Sequence, residues 1–345
     1  MGANIGVLLK KRKIKFEHLT SKIVAVDANN MLYQFLALIR KPDGTPLTDA
    51  KGRITSHLVG LAFRITHLMA KYDIRPVFVF DGRPHPLKER TLQKRRESRE
   101  KALREWRKAL KEGRFDRAYS KAVASALLTK DMIDDAKKVI EYMGLPIVQA
   151  PSDAEAQAAY ITARNDAWCV CSRDYDSVLY GAPRLVRYLT ISGTEFLPSL
   201  GLVKPLTPEM IVLEEALRHL GISREQLIDV AILVGTDFNE GVKGIGPKTA
   251  LKLIKRFGSI EKLPYKILDK INFDYEAVRE VFLHPKVDSD YSISFRKPDI
   301  EGLEEFLVNE KNFSPKRVKT LVYRLTKHSV LYQKSIEEWV VKGGE

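Results

Sequence analysis

Cysteine is nearly missing from this chain. The 345 residues hold two, Cys169 and Cys171, alternating on an apolar run with no Cys/His cluster beside them. A disulfide framework and a zinc site of ordinary spacing are thereby excluded, and reduced core thiols are expected. No stretch approaches the ~20 apolar residues of a spanning helix, which sets integral membrane classes aside. The short apolar patch Ile5 to Leu9 precedes Lys10-Lys11-Arg12-Lys13, the reverse of a secretory signal. Gly6 stands where a myristoylation motif needs Ser or Thr. An intracellular protein is the expectation. Amides are sparse, eight Asn and six Gln, a bias shared with thermophilic proteins. Acidic charge is also short: 44 Asp and Glu against 58 Lys and Arg leave a net +14 at pH 7. Such a surplus points to a polyanionic partner.

What is present is an alternation of strands and helices. Apolar runs at Ile23 to Ala28, Pro76 to Phe80, Pro146 to Gln149, Trp168 to Ser172 and Leu185 to Leu189 read as strands. Met31 to Arg40 and Ser56 to Lys71 carry helical spacing, with a turn at Pro42-Asp43-Gly44 between them. Strands apolar throughout and separated by helices belong to a parallel sheet covered on both faces. The fold class is α/β, a mainly parallel sheet flanked by helices. From about residue 205 the chain reads as mostly helical.

The scarce acids are not scattered. Asp27, Asp81, Asp153, Glu155, Asp174, Asp176 and Asp237 sit at strand ends and turns, as in IVAVDA, VFVFDG, WCVCSRDYDS and ILVGTD. In such sheets ligands bind beyond the carboxyl ends of strands. Oxygen-only donors without histidine favour Mg²⁺ or Mn²⁺ over zinc. If the chain stays extended past its strand, Asp174 and Asp176 face the same side and repel unless a cation lies between them. Taken singly, each acid has a plainer reading. Ser152-x-x-Glu155 fits a capping box for the helix AEAQAAYITAR, which needs no metal. The joint placement of all seven carries the argument.

Two further segments bear on phosphate. Residues 83–121 hold 15 Lys and Arg against six Asp and Glu, and follow directly on Asp81. They read either as a solvated helix pair or as a basic arch that holds a phosphate backbone over the acidic site. The stretch GVKGIGPKTALKLIKRFGS fails as a Walker loop, because Pro247 stands where Lys is required. It fits a tight turn whose backbone N–H groups meet a phosphate at a helix N-terminus, with Gly244 and Gly246 allowing close approach and Lys248 adding charge.

These motifs together resemble the archaeal and eukaryotic flap endonucleases of the structure-specific 5′-nuclease superfamily, from Gly2 to about Trp339. The carriers are VAVDANNMLYQFL, KGRITSHLVGL, PVFVFDGRPHPLKERTLQKRRE, APSDAEAQAAY, SRDYDSVLYGAPRLVR and ILVGTDFNEGVKGIGPKTAL, with the tail LYQKSIEEWVVKGGE. The resemblance implies that all seven acids bind two Mg²⁺ ions, directly or through water, with Mn²⁺ able to substitute. It implies a helical arch over 83–130 and a helix–two-turn–helix over 236–258 that binds duplex backbone, including Gly244, Gly246, Lys248 and Thr249, with K⁺ at that element. Lys88 and Arg95 match the residues that contact the scissile phosphate, Tyr33 the aromatic that stacks on a substrate base, and Gly2 an N-terminus close to the cleavage site. The implied layout is a core over 1–260, a helical part over 261–327 packed on it, and a clamp-binding tail over 328–345. The implied substrate is branched double-stranded DNA with a 5′ flap, cut in Okazaki fragment maturation and repair, with associated 5′-3′ exonuclease activity. The setting would be the cytoplasm or nucleoid of an archaeon.

Gln333, Ile336, Trp339 and Val340 resemble the peptide by which such enzymes bind the sliding clamp. Val340 replaces a second aromatic, which should weaken the plug by roughly 1 kcal/mol on area grounds. The pattern departs elsewhere too. Asp153 stands where the family usually has Glu, one methylene longer, and Asn29 is a local difference beside Asp27. Two other readings remain at this stage: a DNA-junction binding protein weak in catalysis, and a related 5′ exonuclease or repair nuclease.

Overall fold

Alternate residues of three short strands enter two separate apolar layers, and this sets the architecture. The computed structural model describes residues 2–41, 43–190, 193–197 and 202–328. Its strands are β1 (Arg12–Lys13), β2 (Ile23–Asp27), β3 (Arg75–Phe80), β4 (Ile147–Gln149), β5 (Cys169–Cys171), β6 (Arg184–Arg187), β7 (Gly193–Leu197), β8 (Leu202–Leu206) and β9 (Glu209–Val212). Seven form one sheet in the order β1-β9-β6-β5-β2-β3-β4, and β7 pairs with β8 apart from it. The pairs β6–β5, β5–β2, β2–β3 and β3–β4 are parallel, as expected. β9 runs antiparallel to β6 and β1, and neither that edge nor the hairpin was anticipated. β1 is two charged residues with no apolar signal, and β9 lies in the stretch read as helical.

Ala25, Val77, Val79 and Val170 enter one apolar layer. Val24, Val26, Phe78, Phe80, Cys169 and Cys171 enter the other. Both cysteines are free and buried, and burial pushes the Cys171 thiol up to about 12. They are core thiols, as their spacing implies.

The helices are α1 (Ala28–Leu38), α2 (Ser56–Val59), α3 (Thr66–Tyr72), α4 (Glu89–Lys111), α5 (Phe115–Ala124), α6 (Lys130–Tyr142), α7 (Ala154–Ala163), α8 (Asp176–Leu179), α9 (Leu213–Leu220), α10 (Arg224–Val234), α11 (Pro247–Phe257), α12 (Tyr265–Leu268), α13 (Tyr275–Leu283), α14 (Ile300–Glu304) and α15 (Pro315–His328). The helix expected over 56–71 is present, but Gly60–Ile65 in its middle is π-helical. Among the described residues no helix is long and apolar enough to cross a membrane.

The basic segment becomes α4 and α5, which fold back on each other with Ala102, Ala109, Ala118 and Ala122 buried. Small side chains let the two helices approach without a large apolar core. Residues beyond 261 pack on the sheet domain at two places. Val278 and Phe282 of α13 join one apolar layer, whereas Leu303, Phe306 and Leu321 join the other. Between them the backbone of Arg296 and Asp299 donates to the carbonyls of Gly144 and Tyr142.

His57 on α2 is wholly buried, and neither ring nitrogen has a hydrogen-bond partner. Burial, reinforced by the nearby Lys311 charge, lowers its pKa to about 3. The unfolded chain, with an ordinary His near ~6.5, therefore takes up a proton that the folded chain refuses as pH falls from ~6.5 towards 3. Stability is full above ~6.5 and declines below it. Between pH 7 and pH 5 the wild type should lose about 2 kcal/mol more than a His57→Leu variant in urea unfolding; parallel profiles would refute the assignment.

Candidate active site

The parallel strands run in one direction, so their carboxyl ends share an edge of the sheet, and six of the seven acids leave from there. Asp27 ends β2 and caps α1, its Oδ1 accepting from the Asn30 N–H at 2.9 Å. Asp81 follows β3 and accepts from the Ala154 N–H at 2.8 Å. Asp153 and Glu155 follow β4 at the start of α7, and Asp174 and Asp176 follow β5. Asp237 comes from the loop after α10 and is nearly buried.

Crowding shows in their titration. Burial, then the charge of Asp81, raises the Asp27 carboxyl well above the usual range. Burial raises Glu155 likewise, followed by the charges of Asp176, Asp174 and Asp27. Asp176 is pushed up to about 7 by burial and by Asp237 and Asp174. Asp81 stands open to solvent on one side, yet the protein around its carboxyl, with Asp153 and Asp237 close by, raises it as well. Burial also opposes ionisation of Asp237, but Arg95, Lys88 and the chain's amino group together hold the pKa low.

Two expectations about these acids need correction. The N-cap of α7 is Asp153, not Ser152, and the Asp153 side chain makes no capping hydrogen bond. Glu155 does not reach back to a backbone N–H; its Oε1 is buried without a hydrogen-bond partner and it lies among the other acids. Nor does the chain remain extended through Asp174 and Asp176. β5 stops at Cys171, and Asp176 opens the short helix α8. The pair still comes together, because the bend holds Asp174 through the Asn30 amide at 3.0 Å and Asp176 through the Ala3 N–H at 2.7 Å. Among the described residues no three His, Cys, Asp or Glu side chains stand close enough to form a tight chelating group.

Two cations from the start of the basic segment enter this group. Lys88 Nζ lies 2.7 Å from Asp153 Oδ1, and Arg95 Nη2 lies 2.5 Å from Asp237 Oδ1. Burial opposes the Lys88 charge, but Asp153, with Asp237 and Asp176, overcomes it and raises the pKa. The Lys88 ammonium also sits over the Phe238 ring, 4.9 Å from its centroid. Tyr33 on α1 faces the same helix, with the Arg99 guanidinium 5.1 Å from its ring centroid. Gly2 packs directly on Asp176, where an added Cβ would approach the carboxylate to about 2.2 Å.

The glycine-rich stretch is farther out. Gly246 is the N-cap of α11 with Pro247 at its first position, and Gly244 takes φ +85. Gly244, Gly246, Lys248 and Thr249 are all exposed, and nothing crowds either glycine. Gln333, Ile336, Trp339 and Val340 lie outside the described residues.

Several contributors escaped the sequence reading. Asn29 Oδ1 accepts from the Asp81 N–H at 3.3 Å, which gives that departure a role. Tyr180 donates its hydroxyl to Asp153 Oδ2 at 2.7 Å. Glu240 pairs with Arg90 and Lys94, fastening the first turns of α4 to the loop that carries Asp237.

Stored repulsion has a measurable consequence. Asp176→Asn removes one charge and keeps an acceptor for the Ala3 N–H. At pH 8 without divalent metal the variant should be more stable than wild type by on the order of 1–3 kcal/mol. The gain should shrink towards pH 5, where the folded wild type already carries a proton on Asp176. No gain at pH 8 would mean that the cluster stores no such strain.

Comparison with known proteins follows the same lines. Residues 5–102 match the XPG N-terminal domain and residues 144–237 the XPG I-region. Flap endonuclease 1 of Pyrococcus horikoshii is 47% identical over 344 residues, 99% of this chain and 99% of that protein. Flap endonuclease 1 of Methanothermobacter thermautotrophicus is 47% identical over 339 residues, 98% of this chain and 100% of that protein. The structure of flap endonuclease-1 from Methanococcus jannaschii superposes with a TM-score of 0.76 at 42% identity, covering 97% of this chain and 100% of that one. With its acids and two cations meeting at one sheet edge, and with relatives matching from end to end, the chain belongs to the flap endonuclease 1 family.

Proposed function

We propose that this chain is a structure-specific nuclease that hydrolyses a phosphodiester near the base of a 5′ flap in branched duplex DNA, with two Mg²⁺ ions held by Asp27, Asp81, Asp153, Glu155, Asp174, Asp176 and Asp237. The observation that carries it is the rooting of Lys88 and Arg95 among those carboxylates. The donor set fits hard divalent cations: it is all oxygen, and burial followed by neighbouring carboxylates raises the pKa of Asp27, Glu155 and Asp176. Mn²⁺ shares that preference and would substitute. When bound, such ions polarise a water for attack and offset charge on the leaving oxygen.

The protein's own part is to bring the phosphate there and keep it in place. Lys88 and Arg95 turn from Asp153 and Asp237 to the scissile phosphate and counter the charge that grows on its oxygens. α4 and α5, in a segment with nine more cationic than anionic residues, guide the single strand towards them. Tyr33, on the same side, stacks on an unpaired base. The exposed turn at Gly244 and Gly246, with Lys248 and Thr249, holds the downstream duplex by its backbone, with K⁺ at that turn. Gly2 lies against Asp176 and so borders the cut. The product is a 5′ phosphate, and the same geometry trims 5′ ends as an exonuclease. The setting is Okazaki fragment maturation and DNA repair on chromosomal DNA inside the cell.

Single-turnover cleavage of a 5′-labelled double-flap DNA tests this reading. A single cut near the flap base should appear in Mg²⁺ and vanish in EDTA. Lys88→Ala and Arg95→Ala should each slow the chemical step about 10²–10³-fold. Binding without cutting in both Mg²⁺ and Mn²⁺ would favour a junction-binding protein instead, and unchanged rates in both variants would remove the phosphate role.

The tail supports a second contact. Gln333, Ile336, Trp339 and Val340 would seat a short apolar plug in a sliding clamp. Trp339→Ala should weaken clamp binding at least 10-fold by titration calorimetry while leaving flap cleavage without the clamp unchanged; equal affinities would sink the idea.

A further inference from the structure

Asp153 is one methylene shorter than the glutamate usual at its place, and both of its oxygens are held. Its Oδ1 lies 2.7 Å from Lys88 Nζ and its Oδ2 accepts from the Tyr180 hydroxyl at 2.7 Å. An ionised carboxylate has about four acceptor positions, so both oxygens keep one free for a cation. Tyr180 is itself fixed. It is 7% exposed and follows α8, and its ring packs on Phe282 of α13 with centroids 5.0 Å apart. Phe282 meets Phe238 edge-on at 5.3 Å, and Phe238 lies under the Lys88 ammonium. Both partners of Asp153 thus stand on one aromatic floor. A cleft of about 480 Å³, lined in part by His85, Leu87, Asp153, Tyr180 and Lys286, opens beside them.

We infer that Tyr180 is a positioning residue for the metal site, and that its hydroxyl fixes the Asp153 carboxylate in place of the extra methylene a glutamate would supply. The inference rests on the metal reading above. A glutamate reaches by length and can be set by its own torsions, whereas an aspartate on the same backbone must be held where it falls. A phenol O–H aimed at one oxygen does this without adding charge to a site already crowded with it. Partners that orient a ligand in this way are typically worth 10–100-fold in metal affinity or activity when removed.

The test is a double-mutant cycle in the full-length protein, built from Tyr180→Phe, Asp153→Glu and the two combined. Phenylalanine keeps the packing on Phe282, so only the hydroxyl is lost. Mn²⁺ affinity is read by titration calorimetry and the Mg²⁺ midpoint by single-turnover flap cleavage. With aspartate at 153, removal of the hydroxyl should weaken Mn²⁺ binding about 10–100-fold and raise the Mg²⁺ midpoint in the same proportion. With glutamate at 153, the same removal should change either quantity less than about threefold, because the longer arm no longer needs the hold. Equal losses in both backgrounds, no loss in either, or tighter Mn²⁺ binding by Tyr180→Phe would each overturn the inference. A wild type that binds Mn²⁺ and cuts flaps while Tyr180→Phe is silent fails this inference alone. A wild type that neither binds Mn²⁺ nor cuts fails the metal reading, and the inference with it.

Discussion

Like charges forced together at one edge of a sheet are the constraint on which the rest of the structure depends. Asp27, Glu155 and Asp176 lie where burial and the charge of neighbouring carboxylates disfavour ionisation. Repulsion of this kind persists only when surrounding packing over-determines the positions. Here the packing is two apolar layers meeting on β2, β3 and β5, with strands too short and too buried to slip. Moving any of these strands by one residue would exchange the layers' side chains, so the acids at their ends stay together as long as the sheet does.

Opposing charge arrives from outside the sheet. Lys88 and Arg95 belong to the segment that leaves the fold after Asp81, and each returns to a different acid. One arrangement therefore serves two ends. It offsets part of the repulsion, and it places cations at the mouth of the site where a phosphate would arrive. Glu240 repeats the pattern with Arg90 and Lys94, which lie between those two cations in the chain, at the surface, where exposed pairs contribute little.

The sequence made the acids legible because an apolar run that ends in Asp is a local signal. Asp27, Asp81, Asp174 and Asp176 stood out in that way. Glu155 was harder, since a glutamate three residues after a serine looks like a cap, and only the fold shows that Asp153 takes the cap position. The parallel direction of the strands, and with it the shared edge, followed from the alternation of strands and helices. The antiparallel edge did not, because two charged residues make β1 and a single four-residue run makes β9. Contacts over long separations were beyond reach: Tyr180 meets Phe282, Asn30 meets Asp174, and Arg95 meets Asp237, and no spacing in the chain announces such partners. Asn29 was visible as a difference, but its purpose appeared only once β2 and β3 were side by side.

The aromatic floor beneath Lys88 and Asp153 bears on the order in which the site is made. Its members come from positions 180, 238 and 282, so the last arrives well after the final acid, Asp237, has been added to the chain. As synthesis proceeds from the N-terminus, domains fold as their parts emerge. A growing chain that has just released Asp237 holds every carboxylate but has neither α13 nor the ring that backs Tyr180. Completion of the site is thus delayed until α13 has been made, and a chain that ends between Asp237 and α13 owns the acids before it owns the means to aim them.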